Sequence, residues 1–222
     1  EETKDIHDQL IQLITHLSQK NIDLVIEEKT QKQIKLNKFK SLPLNEIAKQ
    51  VDIAIVVGGD GTMLGVARAL IDTGIPLIGI NQGRFGFLTD LNINSMFSSI
   101  DNILDGFYIQ DNRMLIETTI VRNDKKIHES FALNDIVIRS GLRLIELEVI
   151  IDGRFVHTQR SDGLIASTPT GTTAYALSAG GPIIHPNLDA ITIVPISPHT
   201  LSNRPISVGG DSEILIKIVN MD

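Results

Sequence analysis

The residues Gly58-Gly59-Asp60-Gly61-Thr62 place a carboxylate inside a glycine-rich turn, directly after the apolar run Ile53-Ala54-Ile55-Val56-Val57. Glycines let the backbone adopt φ > 0 and approach a ligand closely, so their N–H groups can converge on an anion such as phosphate. A carboxylate among such amides repels that anion. The conflict resolves if Asp60 holds a divalent metal, or takes a proton from a hydroxyl that attacks a phosphoryl group. The pentapeptide therefore points to phosphoryl transfer, with Asp60 as the candidate catalytic residue and Gly58, Gly59, Gly61 and Thr62 as the candidate phosphate cradle.

Three further clusters carry chemistry. Asn81-Gln82-Gly83-Arg84-Phe85-Gly86-Phe87 follows an apolar run and reads either as a flexible wall for a flat ligand or as a tight connection with Phe85 and Phe87 in the core. Asn134-Asp135 interrupts the apolar stretch around Leu133 and Ile136. Buried polar groups are costly unless hydrogen-bonded, and Asp can accept from a ribose hydroxyl, although an Asn-Asp turn at a strand start is the plain alternative. The longest cluster runs from Arg160 to Pro182, where a short strand leads into Ser167, Thr168, Thr170, Gly171, Thr172 and Thr173, with a helix expected from about Thr173. One or two of these hydroxyls suffice for a helix cap. The remainder, with the amides of that helix start and Tyr175, suit a polar, partly anionic ligand.

Other chemistries find no support. The histidines His7, His16, His128, His157, His185 and His199 show no metal-ligand spacing and no cysteine accompanies them, so no fixed protein metal cluster is expected. The P-loop, the protein-kinase catalytic loop and the Gly-x-Ser-x-Gly elbow do not occur in the sequence. A formal charge of −7 argues against a duplex nucleic-acid partner. The Lys-rich stretch from Lys29 to Lys40 reads as a solvated surface loop. No run approaches the roughly 18 apolar residues of a membrane span, the N-terminus has no signal-peptide pattern, and zero cysteines fit a reducing cytoplasm.

The elements that must position these groups follow from periodicity. Ile6, Leu10, Leu13, Ile14 and Leu17 recur at helical spacing until Asn21. Ile22 to Ile26, Ile53 to Val57 and Pro76 to Ile80 read as strands, with a helix from Met63 to Ile71 between the last two. Strands alternating with helices imply a parallel sheet, which binds ligands at the carboxyl ends of its strands, where Gly58 to Thr62 would lie. From Tyr108 onward β patterns dominate: Met114 to Val121, Glu129 to Arg139, Ile145 to Asp152 and Ile214 to Val219, with Asp152-Gly153 as a hairpin turn. The expected organisation is an α/β domain over residues 1–100 and a β-rich domain over 101–222. The chain opens on a helix and stops on a strand, so material is expected to be missing at both ends.

Gly58 to Thr62, Asn81 to Asp90, Asn134-Asp135, Asp162 to Pro182 and Leu188 to Pro205 together resemble the bacterial NAD kinases. The resemblance extends from about Val51 to Val208, in matching order. The glycine-aspartate signature alone is shared with lipid kinases of the diacylglycerol and sphingosine type. The segment from Thr168 to Pro182 is far more discriminating.

The resemblance implies transfer of the ATP γ-phosphoryl to the 2′-hydroxyl of the adenosine ribose of NAD, with Mg²⁺ accompanying ATP. It makes Asp60 the general base and sets Gly61 beside the nucleotide. Phe87 would line the adenosine pocket, and Asn134 and Asp135 would contact ribose and adenine. Arg143 and Arg160 match the family's basic positions. Asp162, Thr170, Thr173, Ala174, Tyr175, Ala176, Leu177 and Ser178 would complete the NAD site. A homodimer or homotetramer is implied, as are a first strand ahead of this chain and a segment beyond Asp222. One departure stands out: the family motif reads Asn-Glu, and Asp135 has a shorter reach. The competing readings are a lipid kinase, for which the polar Thr168 to Ser178 stretch is ill suited, and a non-catalytic dinucleotide sensor, against which the intact Asp60 speaks.

Overall fold

The computed structural model describes residues 2–82, 86–141, 143–200 and 203–221. The chain divides into two compact units, residues 1–110 and 111–222. The division falls after residue 110 instead of 100, because a helix straddles residue 100 and buries Met96 and Ile100 in the first unit.

The first unit alternates helices and short strands. Helix α1 (Glu2–Ser18) turns Leu13 and Leu17 inward. Strand β1 (Val25–Glu27), helix α2 (Glu28–Ile34) and strand β2 (Lys40–Leu42) follow, with β1 and β2 paired in parallel. The first half of the Lys29 to Lys40 stretch is thus a helix, with turns following it: Glu27 caps it by accepting from the Thr30 amide at 2.8 Å, and Ile34 is buried against Ile14 and Ile26. After helix α3 (Leu44–Ile47) come β3 (Ala54–Val57), α4 (Asp60–Ala69), β4 (Leu77–Asn81), β5 (Leu91–Asn92) and α5 (Met96–Leu104). Strands β3, β4 and β5 form a parallel sheet in that order, as the strand–helix alternation predicts. Its core joins Leu13, Leu17, Ile80, Met96 and Ile100.

The second unit is antiparallel. Strands β6 (Ile116–Arg122) and β7 (Lys125–Ala132) make a hairpin. The single strand expected over Glu129 to Arg139 is two, since Leu133 and Asn134 break the run before β8 (Asp135–Arg139). Strands β9 (Ile145–Ile151) and β10 (Arg154–Ser161) pair across Asp152 and Gly153, whose φ values of 50° and 72° are those of a primed two-residue turn, confirming the hairpin signal. Strand β11 (Gly163–Ser167) leads through a 3₁₀ turn (Thr170–Thr173) to the four-residue helix α6 (Tyr175–Ser178), so the helix starts two residues after Thr173. Strands β12 (Ala190–Ile196), β13 (Ile206–Gly209) and β14 (Ile214–Met221) complete the unit. The sheets run β13-β12-β11-β8 and β10-β9-β14. Leu147, Val149, Leu164 and Ile193 meet in the core. The expected fold class, a parallel α/β unit followed by a β-rich unit, is the one observed.

Candidate functional site

Asp60 is the first residue of α4, reached from the carboxyl end of β3 through Gly58 and Gly59. The Gly58 amide donates to the Ile80 carbonyl at 2.9 Å, fixing the turn to the neighbouring strand. A Cβ on Gly58 would stand 2.7 Å from Thr62 Oγ1, whereas one on Gly59 or Gly61 would meet nothing within 4 Å. The turn is therefore tight at its first glycine and open at the next two.

The Asp60 carboxylate is held from the loop after β4. The Phe87 amide donates to Oδ2 at 2.9 Å and the Leu88 amide to Oδ1 at 3.1 Å, while the Thr89 hydroxyl lies 3.5 Å from Oδ1. Both glycine-rich motifs of the first unit thus converge on one carboxylate. Phe87 is 63% exposed, so the reading that placed its ring in the core is overturned, and a ring available to a ligand is what remains. Phe85 lies outside the described residues.

In the second unit the structure joins the other two clusters. The Thr168 amide donates to the Asn134 carbonyl at 2.8 Å, and the Thr168 hydroxyl to the Leu133 carbonyl at 2.6 Å. Asn134 Oδ1 is buried and finds no hydrogen-bond partner among the described residues. Beside it, burial pushes the Asp135 carboxyl above its ordinary range. An orphaned acceptor next to a half-buried carboxyl is an unmet demand for donors, which ribose hydroxyls and an adenine amino group could supply.

The hydroxyls of the Ser167 to Thr173 run are largely committed to the protein. Thr172 Oγ1 donates to the Pro169 carbonyl at 2.6 Å and accepts from the Ile184 amide at 3.0 Å. Thr173 Oγ1 donates to the Thr170 carbonyl at 3.2 Å, and Gly171 donates to Thr168 Oγ1 at 3.1 Å. These hydroxyls build the turn. Tyr175 packs partly on Ile165 and Val194, Ala176 is fully buried there, and Leu177 is exposed. The amide of Asp162, at the β10–β11 junction, donates to the Ile196 carbonyl at 3.0 Å. The carbonyl of Arg160 accepts from the His199 amide at 2.9 Å, and Arg143 is exposed in the connection before β9.

Two contributors escaped sequence reasoning. Arg113 donates to Thr170 Oγ1 at 3.3 Å while paired with Asp111, yet a lone cation ahead of an apolar strand carries no motif. Thr89 is fully buried beside Asp60, a polar residue in the Gly86-Phe87-Leu88-Thr89 run that only the fold brings to the carboxylate. No helix among the described residues is long and apolar enough to cross a membrane.

A carboxylate turn at the carboxyl end of a parallel sheet, followed in the chain by a β-rich unit with an unsatisfied polar strand start, is the arrangement expected of a nucleotide-dependent phosphotransferase. The chain matches the ATP-NAD kinase N-terminal domain over residues 4–108 and the ATP-NAD kinase C-terminal domain over residues 133–222. It is 50% identical over 216 residues to the NAD kinase of Nitrosomonas europaea, covering 96% of this chain and 73% of that protein. It is 49% identical over 201 residues to the NAD kinase of Thiobacillus denitrificans, covering 90% and 69%. Among solved structures, yeast NADH kinase complexed with NADH superposes with a TM-score of 0.88 at 28% identity, covering 96% of this chain and 68% of that one. An NAD kinase from Archaeoglobus fulgidus in complex with ATP gives 0.69 at 27% identity, covering 86% and 78%. The chain belongs to the ATP-NAD kinase family.

Proposed function

We propose that this chain transfers the γ-phosphoryl of ATP to the 2′-hydroxyl of the adenosine ribose of NAD, giving NADP and ADP. The observation that carries the reading is Asp60, intact at the head of α4 in a chain that matches the family over both of its domains. The 2′-oxygen forms a bond to the γ-phosphorus as the bond from that phosphorus to the β–γ bridging oxygen breaks, and the hydroxyl proton passes to the Asp60 carboxylate. Catalysis of this kind is mostly positioning and charge neutralisation. The open backbone at Gly59 and Gly61 suits the donor phosphates. The orphaned Asn134 Oδ1 and the half-buried Asp135 suit the acceptor nucleoside.

Mg²⁺ on the ATP phosphates would neutralise their charge. Asp60, at the head of α4, is the carboxylate that would stand beside such a nucleotide-borne cation. Phe87, Arg143, Arg160, Asp162, Thr170 and the Thr173 to Ser178 segment are assigned to the dinucleotide site. A homodimer or homotetramer and a cytoplasmic location complete the reading. The test is incubation of the protein with Mg-ATP and NAD, with NADP read by an NADP-specific dehydrogenase. NAD binding without ATP consumption would instead support a sensor, and phosphate on diacylglycerol or a sphingoid base but not on NAD would support a lipid kinase.

A further inference from the structure

We propose that the Gly86 to Thr89 segment belongs to the catalytic apparatus as the holder of the Asp60 carboxylate, an inference that rests on the NAD kinase reading. A free aspartate side chain rotates about two bonds, and a proton acceptor that must meet one ribose hydroxyl loses rate with each orientation it samples. Here the rotation is stopped from outside the helix that carries the residue. Phe87 and Leu88 each place one amide on a different carboxylate oxygen, at 2.9 and 3.1 Å.

Gly86 makes the grip possible. A Cβ at this position would lie 2.1 Å from Asp60 Oδ1 and 2.8 Å from Thr89 Oγ1, so a side chain there and the gripped carboxylate cannot both keep their places. Gly79 performs the matching task on β4, where a Cβ would stand 2.8 Å from the Leu88 carbonyl and 3.0 Å from Thr89 Cα. The loop is thus seated on the sheet from below and pressed on Asp60 from above. Among the described residues, Oδ1 accepts from Leu88 with the Thr89 hydroxyl 3.5 Å away, and Oδ2 accepts from Phe87. Gly86 and the two amides are positioning groups that act through Asp60.

The test uses the whole chain with Gly86→Ala, and with a backbone ester at Leu88 that deletes its N–H but keeps its side chain. Each variant should lose about ten- to a hundredfold in kcat, and the Leu88 ester, which leaves every side chain in place, should hold the NAD dissociation constant measured without ATP within about twofold. Unchanged kcat in either variant, or a parallel loss of kcat and NAD affinity with a lowered melting temperature in the ester, overturns the proposal. Hydrogen exchange supplies a readout independent of turnover: the Phe87 and Leu88 amides should be protected in the wild type and exchange at least about tenfold faster in Asp60→Ala. Free exchange of both amides in a wild type that makes NADP refutes the grip alone. Absence of NADP from a wild type with protected amides refutes the kinase reading, and the catalytic role of the grip with it.

Discussion

Gly171 approaches Asn134 so closely that a Cβ on the glycine would stand 2.1 Å from the Asn134 carbonyl oxygen. The same oxygen already accepts the Thr168 amide. The hydroxyl-rich turn and the Asn134-Asp135 strand start are therefore one packed object, and glycine is the residue type that fits between them. Gly171→Ala should destabilise the second unit by about 1–3 kcal/mol, the usual cost of overpacking. NAD affinity should fall with it, because Asn134 moves. Urea unfolding and NAD titration of the variant check this, and a variant that binds NAD normally would show that the two clusters do not share a site.

Gly61 presents the opposite case. It is the second residue of helix α4, and a Cβ there would meet nothing within 4 Å. Alanine gains up to about 1 kcal/mol over glycine in a helix interior. Gly61→Ala should therefore leave the fold as stable or more stable, while turnover drops and the KM for ATP rises because the methyl occupies the space left for phosphate. Melting temperature and initial rates on ATP separate the two effects. A stabilised variant with unaltered ATP kinetics would remove Gly61 from the cradle.

Asp60→Asn exchanges one acceptor oxygen for an NH₂ group that would face an amide N–H, so it removes both the proton acceptor and half of the grip. NADP formation should fall about a hundredfold or more, the scale of a lost general base. Near-normal turnover would sink the assignment of Asp60.

Strand–helix alternation around Ile53 to Ile80 was enough to derive a parallel sheet with Asp60 at its ligand-binding edge, because buried parallel strands write themselves as continuous apolar runs. Helix α2 (Glu28–Ile34) was hidden. Its lysines mask the pattern, and what holds it is local: the Glu27 cap and the single buried Ile34. At the site, the residue types of Asn134-Asp135 and Thr168 to Thr173 were legible as polar interruptions. Their division of labour was not, since the commitment of the Thr172 hydroxyl to Pro169 and Ile184 depends on a tertiary contact. The grip on Asp60 was equally invisible, because backbone amides carry no sequence signature.

Asp135 yields a prediction in which stability and function move in opposite directions. Burial raises its carboxyl above the ordinary 3.8, so between that value and the folded one the native chain binds more protons than the unfolded chain. By linkage, the stability this group contributes is fully present below about pH 3.8 and is lost as pH rises through the folded value. At neutral pH the buried charge is a net penalty. Asp135→Asn removes the ionisation, so the gap between variant and wild-type unfolding midpoints should widen in favour of the variant from pH 3 toward pH 7. The carboxylate is nonetheless what a ribose hydroxyl would donate to, and a hydrogen bond to a charged group is worth about 1.5–3 kcal/mol. NAD affinity of Asp135→Asn should accordingly drop about tenfold or more while the free protein becomes sturdier. A constant midpoint gap across that pH range would show that Asp135 is not desolvated, and undiminished NAD affinity would show that its charge is not spent on the substrate.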